Sequence, residues 1–504
     1  MIERPAPVPD LDWDPARARA FTDRTADIYQ ELLERLRDLP VSRRWTAPEV
    51  RAGVAIDIPD EPLPDDVLFD YLHRVVFDWS SYLGHPRFYA YISGAGTVPG
   101  AAADLLAAGI NMNNGGWQLS GSATEIELAL GRWFATEMFD LPEGSGGTLT
   151  SGGAMANFIA LKAARDDRAG WDVRRQGVAG GPPLMLYLSE ETHVVSVRAA
   201  DMLGLGTDHV RHVPVDEGFR MQVPDLRDAI ESDISAGRRP FAVVGSAGTV
   251  ATGAVDPLPE IADACAEFGL WFHVDAAYGG PARLAPDLRP LMAGIERADS
   301  VAFDPHKWMY TPLVGGCVVM RDMDHLRESF DMYASYVVQD KDHTGHGMDL
   351  GRHSPNFSRQ FSSLKILVSL LAHGRDAYAR RISHDAALAR YLGALVEERD
   401  DFELATPPSL SICCFRYVPP GIGPQRGVDA EREAYLSEVN QELMTQIQSD
   451  GRVFCSNAIL GGRFVLRICI VNYRTEAEDV EALLEVAAEL GSKIDAERRP
   501  EALR

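Results

Sequence analysis

Trp271-Phe-His-Val-Asp275, followed by the small-residue turn Ala276-Ala-Tyr-Gly-Gly280, restricts the fold of this chain more than any other stretch. The run is apolar, partly β-branched and too short for a helix, so it predicts a buried strand that ends in an acid. Ser300-Val-Ala-Phe303 predicts a second strand, and Asp304-Pro-His-Lys-Trp308 follows it directly. Strand-like runs near 184, 210, 241, 271, 301 and 315 alternate with helical stretches, the order expected of an α/β fold with a mostly parallel central sheet between helices. In such sheets ligands bind outside the carboxyl ends of the strands. Asp275, at the end of one strand, and Lys307, 32 positions on and just past the end of the next, therefore share one edge. Either residue alone reads blandly, Asp275 as a helix cap and Lys307 as a surface charge. Together they suit a group held between a carboxylate and an amine.

Pyridoxal 5′-phosphate is such a group, because its aldehyde condenses with a lysine and its ring nitrogen must stay protonated to draw electrons. His273-Val-Asp-Ala-Ala-Tyr-Gly-Gly280 followed by Asp304-Pro-His-Lys-Trp308 resembles the group II pyridoxal-phosphate decarboxylases, which act on aromatic amino acids, glutamate or cysteine sulfinate. The resemblance implies a fold-type I transferase-like architecture with an N-terminal helical segment (1–90), a large cofactor domain (91–375) and a smaller C-terminal α+β domain (376–504). It implies a homodimer with the active site at the subunit interface and the N-terminal unit laid over the neighbouring protomer. It also assigns roles. Lys307 carries the aldehyde, Asp275 pairs with the ring nitrogen, and His193, after the strand Leu184–Ser189, lies flat against the ring. Ala277, Asp304 and His306 fall on the cofactor side, and Thr249 near cofactor or substrate.

Gly144-Ser-Gly-Gly-Thr-Leu-Thr-Ser-Gly-Gly-Ala-Met-Ala-Asn157 runs into the helical pattern Phe158–Arg165. Small residues ahead of a helix start let backbone N–H groups close on an anion, which makes this the phosphate site, with Ser151, Gly153 and Ala154 nearest the family's positions. It lacks both the P-loop ending and the Gly-x-Gly-x-x-Gly of dinucleotide folds, so ATP and NAD are poorly supported. In His85-Pro-Arg-Phe-Tyr-Ala-Tyr91, the resemblance puts Tyr91 and the following Ile92 on the substrate side, with core packing the alternative for Phe88 and Tyr89. The polar stretch from Tyr333 to Asn356 reads as a lid. Ala334-Ser-Tyr-Val-Val-Gln339 matches the family's catalytic loop, with Tyr336 at its tyrosine position.

Lys and Arg number 49 against 74 Asp and Glu, a net charge of −25 that argues against nucleic acid and anionic membranes as partners. No apolar run approaches a membrane span, no signal peptide is evident, and six cysteines without Cys-x-x-Cys spacing read as buried thiols, so the cytoplasm is the expected compartment. His343, His346 and His353 show no metal spacing, and no metal is expected. Ala18–Leu39 and Ser362–Tyr391 read as helices. Ser122 with Glu125 reads as the capping box of a helix through Trp133.

The reading is a pyridoxal-phosphate enzyme that decarboxylates an L-amino acid to an amine and CO₂, with Tyr336 protonating Cα. Aromatic substrates come first because no arginine stands in an obvious side-chain carboxylate role. Arg352 or Arg359 in that role would favour an acidic substrate, glutamate or cysteine sulfinate, and a diamino acid such as 2,4-diaminobutyrate is a further alternative. An aminotransferase would use the same Asp275 and Lys307. Oxidative aldehyde synthases of the family typically carry Phe at the loop position, which Tyr336 argues against, and a non-catalytic paralogue has no physical reason to retain His193, Asp275 and Lys307 together.

Overall fold

The computed structural model of the protein describes residue 5 and residues 11–332, 347–422 and 430–503. Seven strands form the central sheet: β1 (Gly146–Thr150), β2 (Leu184–Ser189), β3 (Val210–Val213), β4 (Arg239–Ser246), β5 (Trp271–Asp275), β6 (Ser300–Phe303) and β7 (Gly316–Met320), in the order β1-β7-β6-β5-β4-β2-β3. Pairs β3/β2, β2/β4, β4/β5 and β5/β6 are parallel, while β7 runs antiparallel to both β6 and β1. Every residue of β2, β5, β6 and β7 is buried, as expected of strands covered on both faces.

The pleat sorts side chains into two cores. Met185, Tyr187, Val243, Phe272, Val274, Val301 and Phe303 pack on one face with Leu226 and Ile230 of helix Val223–Ser235 and Leu258 and Ile261 of helix Leu258–Phe268. Leu184, Leu186, Leu188, Ala242, Val244, Trp271 and Ala302 pack on the other with Ala156, Ile159, Ala160 and Ala163 of helix Gly153–Arg168. Burying each large apolar side chain contributes about 1.5–3 kcal/mol. The alternation also places Asp275 on the face of Trp271 and His273, toward the start of helix Gly153–Arg168.

A second, antiparallel sheet of β8 (Phe402–Ser409), β9 (Ile412–Tyr417), β10 (Ser456–Leu460) and β11 (Arg463–Cys469) packs with helices Arg375–Glu397, Ala430–Asp450 and Ala477–Arg498. Four local expectations are corrected. Gly146–Thr150, inside the glycine-rich run, is a strand. The helix placed at 362–391 is two helices, Ser363–His373 and Arg375–Glu397, broken at Gly374 (φ 77°), and the first N-terminal helix spans Pro15–Arg35, capped by Asp14. Ser122 caps nothing, its hydroxyl lying 3.9 Å from Met112 Sδ, and the helix read from it is part of Trp117–Trp133, which is broken at Ser120 (φ −157°, ψ 42°). Among the described residues no helix is long and apolar enough to cross a membrane.

Candidate active site

The site starts from the register Ser246↔Asp275↔Ala302, which aligns the ends of β4, β5 and β6. Asp275 is buried, and its Oδ1 accepts the Ala277 N–H at 3.1 Å, so the carboxylate also shapes the turn after the strand. Two residues earlier, His273 is fully buried, with Nε2 2.9 Å from Asn157 Oδ1 and Nδ1 2.8 Å from Ser300 Oγ. Asn157 spends its amide N–H on the Gly153 carbonyl, so its Oδ1 accepts from His273 Nε2–H. Ser300 Oγ already accepts from Trp271 Nε1 and is left to donate to Nδ1. The ring is thereby held neutral, and burial pushes its pKa down to about 4. This network fastens β5 to the first turn of helix Gly153–Arg168.

Lys307 sits on a turn whose backbone is tied at both ends. Asp304 N–H donates to the Ala277 carbonyl (3.1 Å), Lys307 N–H to the Asp304 carbonyl (3.0 Å) and Tyr310 N–H to the Lys307 carbonyl (3.2 Å). Lys307 Nζ lies 2.9 Å from Asp304 Oδ2, while Asp304 Oδ1 is buried without a hydrogen-bond partner among the described residues. Two glycines crowd this turn. A Cβ on Gly153 would approach Asp304 Oδ2 to 2.6 Å, and one on Gly94 would come within 2.2 Å of the Lys307 carbonyl oxygen.

Gly153, Ala154, His193, Thr249, Asp275, Ala277, Asp304, Lys307 and Ile92 line one cavity of about 160 Å³. At one end of it, no side chain caps helix Gly153–Arg168, so the first backbone N–H groups of a 16-residue helix are open to an anion. At the other chemical extreme stands the buried acid Asp275. His193 is on the wall, its pKa lowered by burial and held up in part by Asp275. Thr249 is pinned by Thr252 Oγ1 at 3.0 Å. An amine, an acid at a strand end, an unpartnered buried carboxylate oxygen and an uncapped helix start fit a cofactor carrying an aldehyde, a protonated ring nitrogen and a phosphate.

Three predicted residues stand off the wall. Ser151 is exposed one turn position ahead, His306 Nδ1 is spent on the Gly315 carbonyl at 2.5 Å, and Tyr91 is 63% exposed with φ 56°. Tyr336 and most of the lid, with His343 and His346, lie outside the described residues. His353 is buried against the Asp349 carbonyl, and among the described residues no group of His, Cys, Asp and Glu could hold a metal ion.

Asn157, Ser246 and Tyr278 also line the cavity and were not singled out from sequence. Nor was Arg467, a charge in the middle of the apolar run Phe464-Val-Leu-Arg-Ile-Cys-Ile470. That isolated charge was the available signal. Its guanidinium is buried, Nη1 donates to the Tyr91 carbonyl (3.2 Å) and Ser456 Oγ (3.1 Å), and Nε and Nη2 have no partner among the described residues. Arg359 is committed to Glu127, Thr148 and the Leu149 carbonyl, and Arg352 to Asp331.

Compared with known proteins, the sequence matches the family described as "Pyridoxal-dependent decarboxylase conserved domain" over residues 48–418. The aromatic-L-amino-acid decarboxylase of Bacillus atrophaeus is 31% identical over 471 residues, covering 94% of this chain and 95% of that protein. Tryptophan decarboxylase 1 of Oryza sativa subsp. japonica is 30% identical over 489 residues, covering 93% and 92%. Among solved structures, mouse CSAD in apo form is similar with a TM-score of 0.88 at 28% identity, covering 95% of this chain and 99% of that one. Oryza sativa TDC with PLP and tryptamine is similar with a TM-score of 0.88 at 27% identity, covering 96% and 99%.

Proposed function

This chain belongs to the pyridoxal-dependent decarboxylases, and from that premise we propose that its substrate is an aromatic L-amino acid, with Lys307, Asp275 and His193 as the side chains that hold the cofactor. The observation that carries the residue roles is the single cavity in which Lys307, Asp275 and the uncapped helix start at Gly153 meet. When bound, pyridoxal 5′-phosphate supplies the sink for the electron pair left when the Cα–carboxylate bond breaks. Lys307 is the amine that binds its aldehyde carbon. Asp275 keeps the proton on the ring nitrogen by charge pairing in a buried site. His193 covers the ring, and the Gly153 and Ala154 N–H groups take the phosphate with the helix dipole behind them. Tyr336 delivers the proton to Cα after CO₂ leaves.

The aromatic reading rests on the names of the relatives, aromatic-amino-acid, tryptophan and tyrosine decarboxylases among them, and on the commitment of Arg352 and Arg359 to ion pairs away from a substrate side chain. A second reading, an acidic amino acid, is favoured by one observation, the two guanidinium nitrogens of buried Arg467, Nε and Nη2, that have no partner among the described residues while Nη1 holds the Tyr91 carbonyl. CO₂ release with pyridoxal phosphate, measured across the standard amino acids with dopa, 5-hydroxytryptophan, cysteine sulfinate and 2,4-diaminobutyrate, separates them. Turnover of tryptophan, tyrosine or dopa is expected. Turnover confined to glutamate, aspartate or cysteine sulfinate overturns the aromatic reading.

The working unit in this reading is a cytoplasmic homodimer. Leu105, Leu106 and Ile110 on helix Val98–Ile110 and Leu371 on the neighbouring helix Ser363–His373 form an exposed apolar strip that a second copy would cover. Helix Pro15–Arg35 buries no residue fully and touches Asp65–Asp78 through Phe21 and Phe69, which leaves a face for the partner.

A further inference from the structure

The two side chains that follow the Lys307 turn converge on a carboxylate remote in sequence. Trp308 Nε1 (3.1 Å) and Tyr310 OH (2.7 Å) both donate to Asp385 Oδ2, and Arg381 Nε donates to Oδ1 at 2.9 Å. Asp385 lies on helix Arg375–Glu397 and is fully buried. Arg381 in turn donates to the carbonyls of Asn472 (3.1 Å) and Thr475 (2.6 Å) and to Glu476 (3.1 Å), in the connection between β11 and the last long helix. On its other side, Trp308 stacks on Tyr278 with centroids 5.1 Å apart, and Tyr278, which lines the cavity, accepts the Ser411 N–H at 2.9 Å. A fully buried ion pair adds little stability over an apolar replacement of the same volume, because desolvation offsets the attraction. All three donors to Asp385 instead fix geometry, two of them within three residues of Lys307.

We propose that Asp385 is a positioning residue that sets the orientation of Lys307 by clamping Trp308 and Tyr310 against helix Arg375–Glu397 and, through Arg381, against the connection that follows β11. The proposal rests on Lys307 being the cofactor-binding lysine. Asparagine at 385 keeps the shape but turns a donor toward Arg381 or toward the Trp308 and Tyr310 pair, so the clamp opens on one side. Tyr310→Phe removes one bond and nothing else. Asp495 provides a comparison, since it accepts from Tyr435 OH (2.7 Å) and Arg499 Nε (2.9 Å) in a similar cluster away from the cavity.

The experiment measures three quantities for wild type, Asp385→Asn, Tyr310→Phe and Asp495→Asn: the rate at which apoprotein captures pyridoxal phosphate, kcat and KM, and the thermal midpoint. Displacing a reacting group by about 1 Å costs on the order of 100-fold, so capture rate and kcat should fall about 10–100-fold in Asp385→Asn, and more mildly in Tyr310→Phe, with KM nearly unchanged. Asp495→Asn should lower only the thermal midpoint. If Asp385→Asn and Tyr310→Phe behave like Asp495→Asn, the clamp is structural and the proposal fails. Borohydride reduction and peptide mapping of the wild type decide the premise separately, since a label on a lysine other than Lys307 refutes that assignment whatever Asp385 does.

Discussion

Asp275 carries two loads, a charge and a shape, and they can be separated. Its Oδ1 accepts the Ala277 N–H, a bond that the amide oxygen of asparagine reproduces. Asp275→Asn should therefore leave the turn and the fold in place while removing the charge that, in the proposed role, keeps the ring nitrogen protonated. The expected loss in kcat corresponds to about 3–6 kcal/mol, the scale of a charge-assisted bond in a dry site. Steady-state kinetics on saturated holoenzyme measure it, and a loss under about tenfold would reduce Asp275 to a turn-shaping residue. Asp275 and Lys307 stood out in the sequence because Asp275 ends an apolar run ahead of a small-residue turn and Lys307 closely follows the next apolar run, just past Pro305. Arg467 interrupts its apolar run as a lone charge, but what it faces was not legible, because its partners, Tyr91 and Ser456, come from elsewhere in the chain. Asp385 was unreadable for the same reason, since two of its three donors, Tyr310 and Trp308, lie 75 and 77 residues away.

Elements show the same division between local and distant causes. Strands β2, β4, β5 and β6 announce themselves as apolar runs because both faces of a parallel sheet are covered, whereas the edge strand β3, Val-Arg-His-Val, does not. β1, Gly-Gly-Thr-Leu-Thr, carries the composition of a loop because its glycines answer to neighbours. A Cβ at Gly147 would meet the Val318 carbonyl at 2.9 Å, and one at Gly131 would meet the Gly147 carbonyl at 2.3 Å. Trp117–Trp133 starts where Trp117 N–H donates to Asp349 Oδ1 at 2.8 Å, a cap supplied from 232 residues away, and it breaks at Ser120, just ahead of the start read at Ser122, while Glu125 accepts from Trp117 Nε1 and closes no capping box. Helix Gly153–Arg168 offers a prediction in which element and site pull apart. Alanine is favoured over glycine in a helix by roughly 0.5–1 kcal/mol, so Gly153→Ala should not lower the stability of the apoprotein through the helix itself. Its methyl, however, would press to 2.6 Å of Asp304 Oδ2 and 3.3 Å of Ala277 Cβ. Titration of apoprotein with pyridoxal phosphate should show affinity reduced at least about tenfold, equivalent to 1.4 kcal/mol. Unchanged affinity would mean that the close approach is packing without consequence for the cofactor.

Across the whole molecule, the chain leading into the cavity is stitched to its own distal third. Tyr89 N–H donates to the Phe454 carbonyl, Phe454 N–H to the Arg87 carbonyl, Cys469 N–H to the Tyr89 carbonyl, and Asn472 Nδ2 to the His85 carbonyl at 2.7 Å. His85 is buried in this seam, and its Nδ1 accepts the Arg87 N–H at 3.0 Å. Burial pushes its pKa from the ordinary 6.5 down to about 4. A depressed histidine contributes stability that is fully present above pH 6.5 and is lost as pH falls through about 4, because the unfolded chain takes up the proton first. Asp256 and Asp385 shift the other way, burial raising them to about 6 and about 7, so their contributions are present at low pH and lost as pH rises. The wild-type pH curve mixes these opposing slopes, and a variant isolates one of them. In His85→Asn, Oδ1 can replace Nδ1 as acceptor for Arg87 without a proton to gain. Between pH 7 and pH 5 the variant should lose about 2 kcal/mol less stability than wild type, the linkage expected of one histidine with this shift. Urea unfolding followed at both pH values measures the difference. Parallel losses in the two proteins would show that the seam holds His85 with no preference for its neutral form.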